Sequence, residues 1–406
     1  MKYIVNLKTE SPISLREGRE LISHATLDYI SGSVIWGTLA AAHAAFRQNQ
    51  TEFDAFFFNE QVKFGNFYPA LFERDALKGN SDPVYPLPNT ALSCKRFSGF
   101  KADGKVDDRA EDQPHGVWDG LVAWTLFALS QSQNMDVFVD LQRCPDCNHQ
   151  ETLDHFDGFY RDNQKGQWGR AKPKTEIRTR TGINRRWGTV EQGIIYNREV
   201  IAKGTRFWGI LETSPDMGDA FYEFVQEVQE YGMLRLGNNR TRGLGNVTLE
   251  LNKAEAFDST DNLKERVIQF NAKLQEQAKQ HDLELPHAGY IPLTLSSDVI
   301  LTDSLLRYQR TITAHHLAEA GIPGAELIYQ NSKTKTVLGW HNLWGLPKAD
   351  ELAISMGAVF LFGFKQPFTD WSALLELQTQ GLGSRRREGF GQLMIANPFH
   401  WEVKGL

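Results

Sequence analysis

The chain has 406 residues, 41% of them hydrophobic and 23% charged, enough to fill two or three packed domains. A formal charge of −6 excludes a uniformly basic nucleic-acid coat, so any polyanion site must be a local patch. No run of about 18 apolar residues is present to span a membrane. The three cysteines, two of them in CPDC, do not make a disulfide framework, and an N-terminus without the apolar core of a signal peptide predicts a cytoplasmic protein.

In chain order, residues 2–8 alternate as a strand, with Tyr3, Val5 and Leu7 on one side. Ser31, Gly32 and Ser33 open VIWGTLAAAHAAFRQ, whose alanines and spacing predict a helix with a small-residue surface. Residues 51–110, rich in Phe, Pro, Gly and Asp, predict an irregular surface segment. HGVWDGLVAWTLFALSQ at 115–131 predicts a second helix, followed by VFVDL and the CPDC turn at 144–147. Between 176 and 211 come short strands, IRTRTGI, GIIYNREV and TRFWGIL, separated by Gly-containing turns. DAFYEFVQEVQEYGML at 219–234 has helical spacing, and a charged amphipathic helix covers 261–283 before a domain junction at ELPHAG. The second unit starts with YIPLTLSSDVIL at 290–301 and continues through TVLGWHNLWG, AISMGAVFLFGF, a helix near 369–379 and a last strand.

Two stretches repeat. Shifting LRLGNNRTRGLGNVTLEL at 234–251 by 146 residues places Gly237, Gly243 and Gly245 on Gly383, Gly389 and Gly391, and Arg240 on Arg386. Both copies read G-x-x-R-x-x-G-x-G and enter an alternating apolar run, which predicts a duplicated domain. Each half reduces to strand, helix, paired strands, helix, Gly-Arg loop and strand, the split βαβ order of a ferredoxin-like domain. The expected fold is therefore α+β, with two ferredoxin-like (RRM-like) domains and a protruding β-hairpin in the first. Its expected boundaries are 1–258 for the first domain, with an insertion at about 51–170, then a helical linker at 259–288 and a second domain at 289–406.

Glycines let backbone approach a ligand closely, and exposed N–H groups and arginines suit phosphate. For one copy, a tight turn with solvated arginines competes with that reading; duplication favours a ligand. GxxxxGKS is absent, and a Rossmann fingerprint would need the loop between strand and helix in that order, so a phosphodiester backbone fits better than a nucleoside triphosphate. From Arg170 to Arg206 the chain carries a net +7, and RTRTGINRRWG within it ends on Trp187. Such a hairpin can clamp phosphates and stack a base, against the alternative of a solvated edge kept from aggregating by charge.

With these features the sequence resembles the RAMP superfamily of CRISPR-associated proteins, which bind CRISPR RNA (crRNA) through ferredoxin-like domains and end a domain with a Gly-rich loop. SGSVIWGTLAAA at 31–42 is similar to the family's first-helix entry, and TGINRRWGTVEQGIIYNREVIAKGTRFWG at 181–209 to the arginine-bearing hairpin of subunits that hold the guide's 5′ handle. SCK, HGVWD, CxxC and GFY resemble the two-domain type III-D member. The resemblance implies a non-catalytic crRNA-binding and assembly subunit of a type III effector in antiviral defence. Its implied partners are a large palm-domain subunit, an adjacent backbone RAMP subunit and, through the guide, target RNA. Residue by residue it implies RNA contacts at Gly32, Ser33 and Trp36, where Trp36 is equally readable as core. It implies others at Arg178, Arg180, Arg185, Arg186 and Trp187 of the hairpin, and at Arg235, Gly237, Asn239, Arg240, Arg242, Gly243 and Gly245 of the first loop. In the second loop Arg385, Arg386 and Arg387 are candidates, although Glu388 stands where the first has Arg242, which leaves RNA or protein as that loop's ligand.

CPDC spaces Cys144 and Cys147 as half of a zinc site, and Cys94 supplies a third sulfur. The fourth ligand is open among His115, His149 and His155, with His115 favoured, and three buried free thiols are the competing reading. An endoribonuclease that processes precursor crRNA is the alternative function; His24 and His43, each a lone histidine near the first helix, are its candidates.

Overall fold

Tyr3, Val5 and Leu7 are buried on one face of the strand Lys2–Thr9, as their period of two requires, and this strand sits inside the first of two matching sheets. The computed structural model describes residues 1–16, 25–70, 83–101, 113–133, 142–147, 150–162, 168–183, 186–187, 190–254, 258–341 and 346–403. The first sheet runs Val247–Ala254, Lys2–Thr9, Arg206–Thr213, Val62–Ala70, all antiparallel. The second runs Leu393–Ile395, Gly289–Leu295, Val359–Phe364, Ala325–Asn331, again antiparallel. Numbered in chain order within its own domain, each sheet has the strand order 4-1-3-2 of the ferredoxin-like fold.

Helices Gly32–Phe46 and Gly218–Glu230 close the first core, in which Tyr3, Phe64, Phe207, Phe221 and Phe224 are buried. Ala314–Glu319 and Trp371–Gln380 flank the second, around Leu293, Phe360, Phe362 and Leu374. The predicted linker helix is Thr260–Gln280, capped by the Ser259 hydroxyl, which accepts from the Asn262 N–H at 3.1 Å. It is a packed element: Leu263 and Val267 enter the second core, while Phe270, Leu274 and Ala278 meet Leu121 and Leu126 of the insertion helix Leu121–Ser132.

Three expectations need correction. The segment from 51 is not irregular throughout: Gln50–Phe57 is a helix and Val62–Ala70 an edge strand of the sheet, so the insertion begins after Ala70. VKFGNFYPA hides its pattern because nearly all of it is buried and a bulge between Gly209 and Leu211 shifts the register of its partner. Residues 115–131 hold a short strand, Val117–Asp119, before the helix Leu121–Ser132, because Gly116 (φ 111°) and Gly120 interrupt the run. In the second domain Ala325–Asn331 fills the sheet position expected of TVLGWHNLWG; Thr334–Val337 pairs instead with Glu351–Ile354 in a separate ribbon. VFVDL lies outside the described residues.

Candidate nucleic-acid interface and metal centre

The first Gly-Arg loop is a single 3-10 turn, Arg240–Arg242, set between two left-handed residues, Asn239 (φ 60°) and Gly243 (φ 80°). Close backbone contact dictates two of its glycines. A Cβ on Gly245 would lie 2.2 Å from the Leu236 carbonyl oxygen, and one on Gly237 2.5 Å from that of Ser14. Arg235 and Arg242 are exposed and Arg240 half-buried, and none of the three forms an ion pair with a described carboxylate.

The predicted hairpin is present as Thr175–Ile183 paired with Val190–Ile201, a two-stranded ribbon outside the main sheet. Arg178 faces Arg198 across it, and Arg178 Nε meets Glu176 Oε1 at 2.7 Å. Ile177 and Trp187 are 72% and 70% exposed, and the Arg186 guanidinium lies 5.4 Å from the Trp187 ring centre. Arg185 lies outside the described residues.

Residues 12–14, to which the sequence reading assigns no place in a site, join the hairpin to the loop. Ile13 exchanges both backbone hydrogen bonds with Ile201 at the hairpin's base, while the Pro12 and Ser14 carbonyls accept from Gly245 N–H and Asn238 N–H, each at 2.9 Å. The signal was available: Ile13 and Leu15 alternate after Pro12, which has no N–H to give. Hairpin and first loop thus form one edge, carrying Arg178, Arg180, Arg186, Trp187, Arg235, Arg240 and Arg242.

The second loop repeats the backbone in different surroundings. Arg386–Glu388 is the 3-10 turn, with Arg385 (φ 56°) and Gly389 (φ 90°) left-handed. Arg385 is held by Glu351 and by Glu388 (2.6 Å), and Lys348 Nζ stands 3.7 Å from the same Glu388 carboxylate, which is buried. Burial alone would raise the Glu388 carboxyl, yet the hydrogen bond and charge of Arg385, with Lys348 and Arg387, hold it below the usual carboxylate range. Arg387 donates to the Phe58 carbonyl at 2.9 Å, so Arg385 and Arg387 are both engaged within the chain.

This loop lies on the helix entry. Gly32 N–H donates to Asn66 Oδ1 at 2.9 Å, and a Cβ on Gly32 would meet the Phe64 carbonyl at 2.0 Å and that of Glu388 at 2.7 Å. Gly32 is therefore buried at the contact between domains, and the half-buried Ser33 bonds Ser31 at 2.9 Å. Trp36 packs against the first core and donates from Nε1 to the Phe57 carbonyl at 3.2 Å.

The insertion brings Cys94, His115, Cys144 and Cys147 together, with ligand atoms all within 4.8 Å of one another. Cys94 ends the strand Ala91–Cys94, His115 precedes Val117–Asp119, and the two other sulfurs flank the turn Pro145–Cys147. The separations are 3.6 Å for Cys94 Sγ to Cys147 Sγ, 3.4 Å for His115 Nδ1 to Cys144 Sγ and 3.1 Å for His115 Nδ1 to Cys147 Sγ. Zn–S and Zn–N bonds of about 2.3 and 2.0 Å imply tetrahedral edges of roughly 3.5–3.8 Å. The Cys94–Cys147 separation falls in that range and His115 stands somewhat closer to its two sulfurs, so the donor set suits zinc with a small outward shift of the imidazole. Burial, and then the neighbouring sulfurs, push the Cys147 thiol up to about 12, and burial raises Cys144 too; a dication would let these sulfurs act as thiolates. His155 is exposed on the strand Leu153–His155 outside this cluster, and His149 lies outside the described residues.

His43 is fully buried, with Nε2 3.2 Å from Glu52 Oε2 and its ring among Phe53, Phe56, Phe57 and Phe224. His24 lies outside the described residues. Among the described residues no helix is long and apolar enough to cross a membrane.

Paired ferredoxin-like domains, each closed by a Gly-rich loop between its last helix and last strand, define a two-domain α+β protein with an arginine-lined edge. The chain belongs to the RAMP superfamily, which it matches over residues 6–248. Among solved structures it is similar to a chain of the type III-B Cmr-beta bound to cognate target RNA (11% identity, 96% of each chain covered, TM-score 0.41). It is also similar to oligomeric Cmr4 from Pyrococcus furiosus (15% identity, 62% of this chain and 98% of that chain covered, TM-score 0.25). No curated protein matches it.

Proposed function

We propose that this chain is a non-catalytic, cytoplasmic RNA-binding and assembly subunit of a type III CRISPR effector, of the III-D kind, holding the 5′ handle of the guide RNA. The observation that carries the reading is the joined edge, where hairpin and first loop meet through residues 12–14 and present arginines with an exposed tryptophan. Membership of the RAMP superfamily and the likeness of residues 181–209 to handle-holding hairpins support it. Phosphates would lie along the arginines, and Trp187 would stack a base, with no histidine among the described residues of this edge to activate a ribose hydroxyl. The buried placement of His43 supports a non-catalytic role. By the same likeness the partners are a large palm-domain subunit and an adjacent backbone RAMP subunit, with target RNA reached through the guide.

Incubation with labelled repeat RNA tests this reading: binding without cleavage is expected, and specific cleavage abolished by His43→Ala would replace it with the endoribonuclease. Removing Arg185 and Arg186 together should weaken binding more than removing Arg385 and Arg387, and equal losses would move the guide away from the first domain.

For the insertion, we propose a structural zinc on Cys94, His115, Cys144 and Cys147, tying three separate stretches of a loop-rich region. Metal analysis of purified protein should find one equivalent, lost in Cys144→Ser; a metal-free wild type refutes it.

A further inference from the structure

The open face of the first sheet and the end of the second domain enclose a cavity of about 450 Å³. One wall is aromatic: Tyr85 and Trp208 meet edge to face, 6.1 Å between ring centres. Gln392, at the start of the last strand, lines the cavity with a side-chain amide that bonds no described residue. Most of the charges are matched, Lys2 with Glu212 at 2.9 Å and Arg266 with Asp258 at 2.6 Å, and Glu402 is one further acid. Lys63 and Arg386 line the same space without an ion pair to any described carboxylate. Arg386 is the counterpart of Arg240, and it turns to the cavity while Arg385 and Arg387 serve the contact between domains.

An aromatic wall, an unspent amide and two cations without an ion pair to a described carboxylate, around a space of this size, are the features that hold a base and a phosphate together. Small-ligand pockets span roughly 300–1,000 Å³, bases are read by stacking and amide hydrogen bonds, and phosphate is held by charge-assisted donors. We propose that this cavity takes one unstacked nucleotide, its phosphate at Lys63 and Arg386 and its base between the Tyr85–Trp208 wall and Gln392. The proposal rests on the RNA-binding reading for the source of that nucleotide, an RNA strand; a free mononucleotide is the other source of the same chemistry.

The test uses the full chain and two cavity variants, Lys63→Ala with Arg386→Ala, and Gln392→Ala. Fluorescein-labelled single-stranded RNA is titrated by anisotropy, and AMP, GMP, CMP and UMP by calorimetry, with Arg178→Ala/Arg180→Ala as the hairpin control. Loss of the two cations should weaken RNA about tenfold, and loss of the amide a few-fold, more for some bases than for others. Unchanged RNA affinity in both variants, together with a weakened hairpin control and no mononucleotide bound, overturns the cavity and leaves the RNA-binding reading standing. A mononucleotide bound by wild type and lost in the variants supports the cavity even if RNA does not bind at all, and then it is the RNA-binding reading that fails. Neither ligand bound by wild type overturns both. Should the variants melt early, RNA carrying 4-thiouridine is crosslinked to wild type: adducts on Tyr85 or Trp208 support the proposal, and their absence overturns it.

Discussion

The first Gly-Arg loop and the second share a backbone and differ in what surrounds it. Asn239 and Arg385 sit at φ 60° and 56°, Gly243 and Gly389 at 80° and 90°, and Gly245 and Gly391 at 92° and 81°. In both, the residue just before the loop's first glycine donates its N–H to the carbonyl of the loop's last glycine: Leu236 to Gly245, and Leu382 to Gly391. Around the first loop Arg235 and Arg242 face water, whereas in the second Glu388, in the place of Arg242, is buried under the helix entry with Arg385 against it. Glycines thus set the shape of the turn, and the residues between them decide whether it faces outward or locks two domains together.

Exchanging those deciding residues is the strongest way to break the comparison. Glu388→Arg would leave Lys348 without its carboxylate and Arg385 with Glu351 alone, and would add a third cation at the contact; it should cost about 3–5 kcal/mol, as removal of one partner of a buried pair does. Arg242→Glu, on an exposed side chain, should stay within about 0.5 kcal/mol. Thermal melts of the two variants should therefore separate widely; similar shifts would mean that the second loop is not a lock.

Gly243 and Gly389 sharpen the contrast with one added methyl. Both are left-handed, so alanine costs roughly 1–2 kcal/mol of backbone strain at either position. At Gly243 the new Cβ meets nothing within 4 Å, but at Gly389 it would lie 2.7 Å from the Phe64 carbonyl oxygen and 3.2 Å from Gly32 Cα. Gly389→Ala should cost about 1–3 kcal/mol more than Gly243→Ala, because the second domain must back away from the first. Denaturant unfolding of both variants measures the difference directly.

Acid probes the same lock more gently. The Glu388 carboxyl is held below its ordinary value near 4.5, so its contribution is complete above that pH and is lost as pH falls through the lower folded-state value. Wild type should lose stability in that window faster than Glu388→Gln, whose amide does not titrate; parallel curves would remove Glu388 from the account.

How much of this was legible follows from what each feature depends on. The duplication was readable because a left-handed turn with close backbone contacts admits little but glycine, so the G-x-x-R-x-x-G-x-G spacing survives in both copies. Cys94, Cys144, Cys147 and the favoured His115, which the fold brings together, were readable as a set because few residue types can ligate a metal and CPDC has the spacing of half a zinc site. The strand Val62–Ala70 was not, since burial on both faces erases its alternation. Nor was the lock: Glu388 and Arg385 look like any charged loop until Gly32 and Lys348, hundreds of residues away in one case, are folded against them. The cavity was equally hidden, because its aromatic wall, amide and cations come from five separate stretches of the chain.

The smallest effect on stability belongs to the outward loop, and it is the one that separates shape from function. Arg240→Ala and Arg242→Ala remove side chains with no described ion-pair partner, so the melting temperature should hardly move. If the loop holds RNA, each lost phosphate contact should weaken binding and flatten the dependence of log affinity on log salt by about 0.7. The same substitutions at Arg385 and Arg387 should do the reverse, lowering the melting temperature with a smaller change in salt slope, because those guanidiniums are engaged with Glu351, Glu388 and the Phe58 carbonyl. Salt titrations and melts on all four variants give two numbers each, and the two loops should fall at opposite corners of that plot; if they fall together, twin backbones have twin roles after all.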